Sequence, residues 1–236
     1  MFCRNFITAF AIIMNIIFFS ISAQAATVSG KIAFEGAAPA REPIKMDADT
    51  SCKLAHPNGV QTDDVIVNSN GTLKDVFIYV KEGVSGKFEA PKTPVVFDQH
   101  GCQYSPKVLG IQVGQPLEIR NSDSTLHNVH SLSTKSPQFN LGMPIQNMKL
   151  KKTFTSPEVM VKVKCEVHPW MSAYVGVLDH PFFAVSSEEG TYEIKNLPPG
   201  QYVIEAWHQK YPAQTQSVTV AADSDAKTLD FSFKAA

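Results

Sequence analysis

Donor side chains suited to a metal are concentrated in two short motifs. Cys165, His168 and Met171 follow one another at three-residue intervals, and His127 lies upstream in the segment His-Asn-Val-His. A thiolate, two imidazoles and a weakly bound thioether form the ligand set of a mononuclear blue copper centre. The spacing therefore predicts one type 1 copper site, in which Met171 is the axial ligand and the other three residues form a trigonal plane.

The strand before this loop must deliver the sulfur to the interior. From Val159 to Cys165 apolar and charged residues alternate, so Val161 and Val163 share a face with Cys165 while lysines occupy the other face. Pro169 stiffens the loop that follows. We expect Cys165 to point into an apolar core. We expect His168, flanked by Pro169 and Trp170, to be the partly exposed ligand through which an electron leaves.

Two alternatives stay open for these donors. Cysteine and histidine also bind zinc, although methionine is a poor zinc ligand and no acidic residue has a spacing suited to a general base. His130 has the opposite strand parity to His127, so we expect it at the surface rather than on the metal. The remaining histidines are expected to be structural: His56, His100, His180 and His208.

Both motifs resemble those of the cupredoxins, and most closely those of amicyanin. Residues 165–171 match the pattern C-x-x-H-P-x-M, and residues 127–130 match H-N-V-H. The resemblance covers about residues 104–178 and implies a Greek-key β-sandwich. It implies four copper ligands, His127, Cys165, His168 and Met171.

The resemblance also implies a bracing role for Asn128, next to the first ligand. The whole chain resembles larger exported cupredoxins associated with methylamine utilisation. In those proteins the stretch Gly101–Pro106 usually continues with histidine, whereas this chain has Lys107. This departure removes no predicted copper ligand, but it argues against a second metal site there.

Short β-branched stretches separated by Gly, Pro and Asn fill the chain after residue 25, and none forms a convincing helical pattern. Such a pattern predicts an all-β protein, here with two sandwiches. Residues 189–207 combine Glu-Gly, the strand TYEIK, a Leu-Pro-Pro-Gly turn and the strand QYVIEAW, and they resemble a carboxypeptidase regulatory-like (transthyretin-like) sandwich.

The expected organisation has a copper domain at residues 95–179 and transthyretin-like strands at residues 180–236. The opening TVSGKIAFEG also resembles the first strand of the transthyretin-like module. We therefore hypothesise that the N-terminal β segment, residues 26–94, belongs to the second sandwich and that the copper domain is inserted within it.

Residues 1–25 have the composition of a secretory signal peptide. A basic residue, an apolar stretch and the sequence Ala-Gln-Ala follow in order, which predicts cleavage after Ala25 and a periplasmic location. An uncleaved membrane anchor is the alternative, but the apolar stretch is short for one.

Three cysteines remain after the predicted cleavage. An odd number in an oxidising compartment leaves one thiol over. The simplest solution joins Cys52 to Cys102 in a disulfide and gives Cys165 to the metal.

Composition limits the class of partner. The 236 residues carry a formal net charge of −1, so there is no basic excess to hold nucleic acid. We expect a non-enzymatic electron carrier that exchanges single electrons with a donor and an acceptor, of the cytochrome c or dehydrogenase type. The alternatives are a copper storage or delivery protein and a non-catalytic subunit of a periplasmic enzyme.

Overall fold

A computed structural model describes residues 25–221 and 226–235. The predicted signal peptide, apart from Ala25, lies outside the described residues. In chain order the elements are β1 (Ala26–Glu35), β2 (Pro43–Ile44), α1 (Thr50–Ala55), β3 (Val60–Gln61), β4 (Phe77–Glu82), β5 (Val95–His100), β6 (Gln103–Ser105), β7 (Val108–Gln112), β8 (Leu117–Asn121), β9 (His127–Ser131), β10 (Phe139–Met143), β11 (Met148–Lys152), β12 (Glu158–Lys164), β13 (Ser172–Leu178), β14 (Phe183–Val185), β15 (Thr191–Leu197), β16 (Gly200–His208), β17 (Tyr211–Val220), β18 (Ala226–Thr228) and β19 (Phe231–Lys234). The predicted all-β class is confirmed.

Strands β5 to β13 build the first sandwich. One sheet has the order β10-β9-β12-β13-β7 and the other has the order β11-β8-β5-β6. The β13–β7 and β5–β8 pairs are parallel, and the other pairs are antiparallel. Successive side chains of a strand point to opposite faces, which explains the burial pattern of β12: Val161 and Val163 face the core, while Lys162 is exposed. The core between the sheets continues into the Cys165 loop.

The second sandwich combines strands from both ends of the chain. Strand β1 lies between β15 and β18 and also pairs with β19, while the facing sheet has the order β14-β4-β16-β17. Strands β1 and β4 thus precede the first sandwich, and the other members follow it. Its core is rich in aromatic side chains, including Phe34, Phe182, Tyr192, Phe231 and Phe233.

Two aligned glycines allow the sandwiches to approach each other closely. Gly110 on β7 pairs with Gly176 on β13. A Cβ atom at Gly176 would lie 2.3 Å from the Phe77 ring, and one at Gly110 would lie 2.3 Å from the Phe183 ring. Both rings come from the second sandwich, so glycine is required on this face of the first.

The expectation that no helix follows residue 25 is wrong at one place. Residues Thr50–Ala55 form α1, and the Asp49 side chain caps it by accepting a hydrogen bond from the Cys52 N–H at 3.1 Å. Six residues with one buried side chain are too few to produce an apolar helical period. Within the described ranges, no helix has the length and apolar character needed to cross a membrane.

Candidate metal centre

The four predicted ligand residues meet at one end of the first sandwich. His127 opens β9, Cys165 follows β12, and His168 and Met171 lie in the loop before β13. Their exposed fractions are only 0–3%. Folding therefore brings two separate chain segments together, and it buries two imidazoles, a thiol and a thioether.

Two imidazole nitrogens and one sulfur converge. His127 Nδ1 lies 2.9 Å from His168 Nδ1, and Cys165 Sγ lies 3.9 Å from His168 Nδ1. The candidate ligand atoms of these three residues all lie within 4.8 Å of one another. Such a triad can hold one metal ion.

Carboxylates bind the outer nitrogens of both rings. His127 Nε2 lies 2.8 Å from Asp123 Oδ2, and His168 Nε2 lies 3.2 Å from Asp49 Oδ2. A hydrogen on each Nε2 satisfies these contacts and leaves each Nδ1 with a lone pair that faces the other ring. Two lone pairs at 2.9 Å repel each other, so a proton or a metal cation must lie between them. The arrangement fits a metal that binds both Nδ1 atoms.

The surroundings of the two rings shift their pKa values in opposite directions. Burial opposes a charge on His127, but hydrogen bonds from the ring to Asp123 and Cys165 outweigh burial and raise the pKa of His127 to about 9. Burial lowers the pKa of His168, although Asp49 opposes the shift. These shifts in opposite directions favour the extra proton on His127 rather than on His168.

The sulfur lies in an environment that favours the thiolate. Burial raises the pKa of a thiol, but hydrogen bonds from His127 and from backbone N–H groups outweigh it, so the pKa of Cys165 is lowered overall. The His168 N–H donates to Sγ at 3.4 Å. A thiolate is the form that binds a metal.

Asn128 joins the two ligand motifs. Its Oδ1 accepts a hydrogen bond from the Glu166 N–H at 2.6 Å and lies 3.2 Å from Cys165 Sγ. Its backbone oxygen accepts a hydrogen bond from the Tyr104 hydroxyl. Asn128 therefore holds the loop of Cys165 against the strand that begins with His127.

A segment from outside the first sandwich covers His168. The capping segment, residues 46–56, includes Asp49 and α1, and Cys52 Sγ lies 3.5 Å from His168 Nε2. Trp170 packs on the other side, with ring centroids 5.1 Å apart. The sequence motif predicts a partly exposed His168 through which electrons leave. That prediction is wrong, because the capping segment leaves only 2% of His168 exposed.

A disulfide attaches the capping segment to the sandwich. Cys52 and Cys102 are bonded, with an S–S distance of 2.00 Å, and both residues are buried. Cys165 is the free cysteine among the described residues. The Trp170 Nε1–H donates to the Cys102 carbonyl at 3.0 Å, so the disulfide and the ligand loop are in contact.

His130 and Lys107 lie outside the cluster. His130 Nδ1 lies 2.6 Å from Glu166 Oε1 at the protein surface. The Lys107 ammonium lies 2.6 Å from Asp63 Oδ1, and the side chain is 7% exposed. A positive charge already balances the carboxylate at that position.

Sequence reasoning missed Asp49 and Asp123. Asp123 lies four residues before His127 in the loop between β8 and β9, a local signal that was available. Asp49 lies 119 positions from His168, and only its role as a helix cap has a local signature. Tertiary contacts alone bring Asp49 to the site.

Residues 169–234 match the carboxypeptidase regulatory-like domain family. This match confirms the resemblance predicted from the Leu-Pro-Pro-Gly turn and its flanking strands. No curated protein sequence matches the chain.

Three solved structures illustrate the proteins to which the chain is similar. A Cu-containing nitrite reductase from Thermus scotoductus SA-01 is 24% identical, with a TM-score of 0.35, over 42% of this chain and 26% of its own. A purple cupredoxin from Nitrosopumilus maritimus is 25% identical, with a TM-score of 0.30, over 35% of this chain and 97% of its own. A reduced amicyanin variant is 23% identical, with a TM-score of 0.32, over 42% and 97% respectively. The chain thus spans about a quarter of the nitrite reductase.

Proposed function

We propose that the protein is an electron carrier with one type 1 copper ion. The observation that carries the proposal is the convergence of two Nδ1 atoms and one sulfur, with both Nε2 atoms already bonded to carboxylates. His127, Cys165 and His168 would hold the ion, and Met171 would be a weaker fourth ligand. Copper in such a ligand set cycles between Cu(I) and Cu(II) and so supplies one electron at a time.

Restricted ligand motion supports this assignment. The His168 carbonyl accepts the Met171 N–H at 2.9 Å, and the Met171 carbonyl accepts the Cys165 N–H at 3.1 Å. The loop therefore closes on itself around the donors. Fixed outer contacts orient the ligand rings and keep their geometry similar in both oxidation states.

The proposal includes no catalytic turnover. All four ligand residues are at least 97% buried, so a substrate has no direct contact with the donors. The partners would be redox proteins, one donor and one acceptor of the cytochrome c or dehydrogenase type. Export to the periplasm is proposed on the sequence of residues 1–25, and the disulfide agrees with an oxidising compartment.

The visible spectrum of the mature protein tests the copper assignment. With Cu(II) we expect one bound ion and an intense band near roughly 600 nm from thiolate charge transfer, as in the blue copper class. Cys165→Ala should abolish the band, and His130→Ala should leave it unchanged. A colourless protein that takes one zinc and rejects copper would overturn the proposal, as would loss of the band in His130→Ala but not in His127→Ala.

Copper storage is the second candidate, and the burial of His168 favours it. A redox partner cannot touch this imidazole directly, because the capping segment lies over it. Electron self-exchange separates the two functions: a carrier exchanges rapidly between its Cu(I) and Cu(II) forms without losing metal. Slow exchange together with release of copper to a chelator would favour storage.

A further inference from the structure

The two histidines of the centre have the same kind of outer contact, but from unrelated parts of the chain. Asp123 comes from the loop that leads into β9, whereas Asp49 comes from the capping segment, which belongs to neither sheet of the first sandwich. Their distances to the Nε2 atoms are 2.8 and 3.2 Å. Each ring is therefore oriented by an anion on its outer side.

Both carboxylates are themselves anchored beside the disulfide. Asp49 Oδ1 accepts a hydrogen bond from the Cys52 N–H at 3.1 Å, and Asp123 Oδ2 accepts one from the Cys102 N–H at 2.8 Å. Since Cys52 and Cys102 are bonded to each other, the disulfide fixes the separation of the two anchors. The disulfide, the two carboxylates and the two imidazoles are therefore connected by one continuous set of covalent and hydrogen bonds around the donor atoms.

Further hydrogen bonds hold the carboxylates in their charged form. The Thr125 hydroxyl donates to Asp49 Oδ2 at 2.7 Å, and the Gly101 N–H donates to Asp123 Oδ1 at 2.8 Å. Donors of this kind favour the ionised carboxylate over the protonated acid. Two negative charges thus lie one imidazole ring away from the proposed metal.

We infer that Asp49 and Asp123 are positioning residues that fix the Nε2–H tautomer of both ligand histidines and hold the centre toward Cu(II). The inference rests on the proposed copper function. Hydrogen bonding to a carboxylate fixes the orientation of an imidazole and makes it a more basic ligand. The oxidised centre carries one more positive charge than the reduced one, so nearby anions stabilise it more.

If Asp49 served only as a helix cap, Asp49→Asn would leave the copper centre unchanged. Asparagine caps a helix about as well as aspartate does, so Asp49→Asn keeps the start of α1 while it removes the charge. Asp47 provides a matched control two residues away, because it is exposed and forms its salt bridge with exposed Lys53 at 2.9 Å. Asp47→Asn changes the net charge equally without touching the centre.

The first experiment measures the reduction potential of the copper-loaded protein by spectroelectrochemistry. We expect Asp49→Asn and Asp123→Asn each to shift the Cu(I)/Cu(II) equilibrium about tenfold toward Cu(I), which is about 59 mV for one electron. The blue band should persist, and Asp47→Asn should shift the equilibrium less than twofold. Shifts no larger than that of Asp47→Asn would overturn the inference.

The second experiment reads the tautomers directly and needs no copper. In 15N NMR of the mature metal-free protein, His168 should be the Nε2–H tautomer with a slowly exchanging proton. Asp49→Ala should speed that exchange at least tenfold, and Asp47→Ala should not. An Nδ1–H tautomer in the wild type would overturn the inference, whereas a wild type that binds no copper but has the expected tautomer would overturn only the proposed function.

Discussion

Each of the two sandwiches buries a pair of histidines, but only one pair converges. His127 and His168 place their Nδ1 atoms 2.9 Å apart, beside a thiol and between two carboxylates. In the second sandwich His180 binds the Val80 carbonyl, and His208 accepts the backbone N–H of Lys210 and stacks on an aromatic ring. Within the described residues, neither belongs to a group of three donors.

The difference shows that burial alone does not make a histidine a ligand. Burial lowers the pKa of His208 to about 4, and the charge of Asp64 opposes this shift only in part. Burial acts on His127 as well, but Asp123 and Cys165 reverse its effect and raise the pKa to about 9. At the candidate metal centre, neighbouring anionic groups offset the cost of burying a charged imidazole. In the core of the second sandwich, His208 is buried as a neutral ring.

Replacing one buried histidine in each sandwich should produce the largest difference, and the quantity compared is copper affinity. We expect His127→Ala to lower copper affinity by more than about 100-fold, since even an outer partner of a ligand is worth about 10–100-fold. His208→Phe fills a similar volume and should leave copper affinity unchanged. Competition with a copper chelator measures both, and equal losses in the two variants would contradict the ligand assignment.

Removal of the disulfide should affect the sandwiches unequally. Closing a chain loop of the length between Cys52 and Cys102 stabilises a fold by about 4 kcal/mol in the chain-entropy model. We expect the double change Cys52→Ser and Cys102→Ser to lower the free energy of unfolding of the first sandwich by about that amount.

The two tryptophans allow each sandwich to be followed in that experiment. Trp170 lies beside the disulfide, and Trp207 lies on β16 of the second sandwich. Urea unfolding is therefore followed by fluorescence in Trp207→Phe and in Trp170→Phe backgrounds. Equal destabilisation at both tryptophans would indicate that the sandwiches unfold as a single unit.

Asp75 is a carboxylate outside the centre, and its pKa is shifted in the opposite direction to that of Asp49. Asp75 precedes β4 and makes no hydrogen bond or salt bridge through its side chain within the described part of the chain. Burial raises the pKa of Asp75 to about 6, while Lys74 partly opposes the shift. A carboxyl group with a raised pKa destabilises the folded state above that pKa, and the penalty disappears as pH falls toward the ordinary value near 4.

Asp75→Asn should therefore stabilise the protein at pH 7. The gain is at most about 3 kcal/mol, since one pKa unit corresponds to about 1.4 kcal/mol. Asparagine also accepts the positive φ of 59° at this position. Urea unfolding of both proteins at pH 7 and pH 4 measures the effect, and a gain that persists at pH 4 would exclude ionisation as its cause.

The smallest expected effect concerns the axial position. Met171→Gln replaces a thioether by a harder oxygen, which favours Cu(II), and we expect a shift of about tenfold, or about 59 mV, to lower potential. Met148→Gln is the matched control, because Met148 lies on β11 and not in the loop that contains Met171. An unchanged potential in Met171→Gln would remove Met171 from the ligand set.

The spacing of Cys165, His168 and Met171 is local, so a sequence motif could predict that these residues lie close together. The parity of β12 points Cys165 inward, and a short loop keeps His168 and Met171 close to it. Alternating β-branched stretches likewise predicted the all-β class, since strand burial has a period of two. The odd number of cysteines after the predicted cleavage led to the disulfide that the structure contains, between Cys52 and Cys102.

No local residue pattern indicates the contacts between segments that are far apart in the sequence. Asp49 meets His168 across 119 positions, and β1 pairs with β15, β18 and β19 at the other end of the chain. Alternation specifies which face of a strand is buried, but not which strand lies beside it. Local residue patterns therefore determined the β class and predicted the candidate donors, whereas tertiary packing decided that His168 is covered and that each imidazole meets a carboxylate.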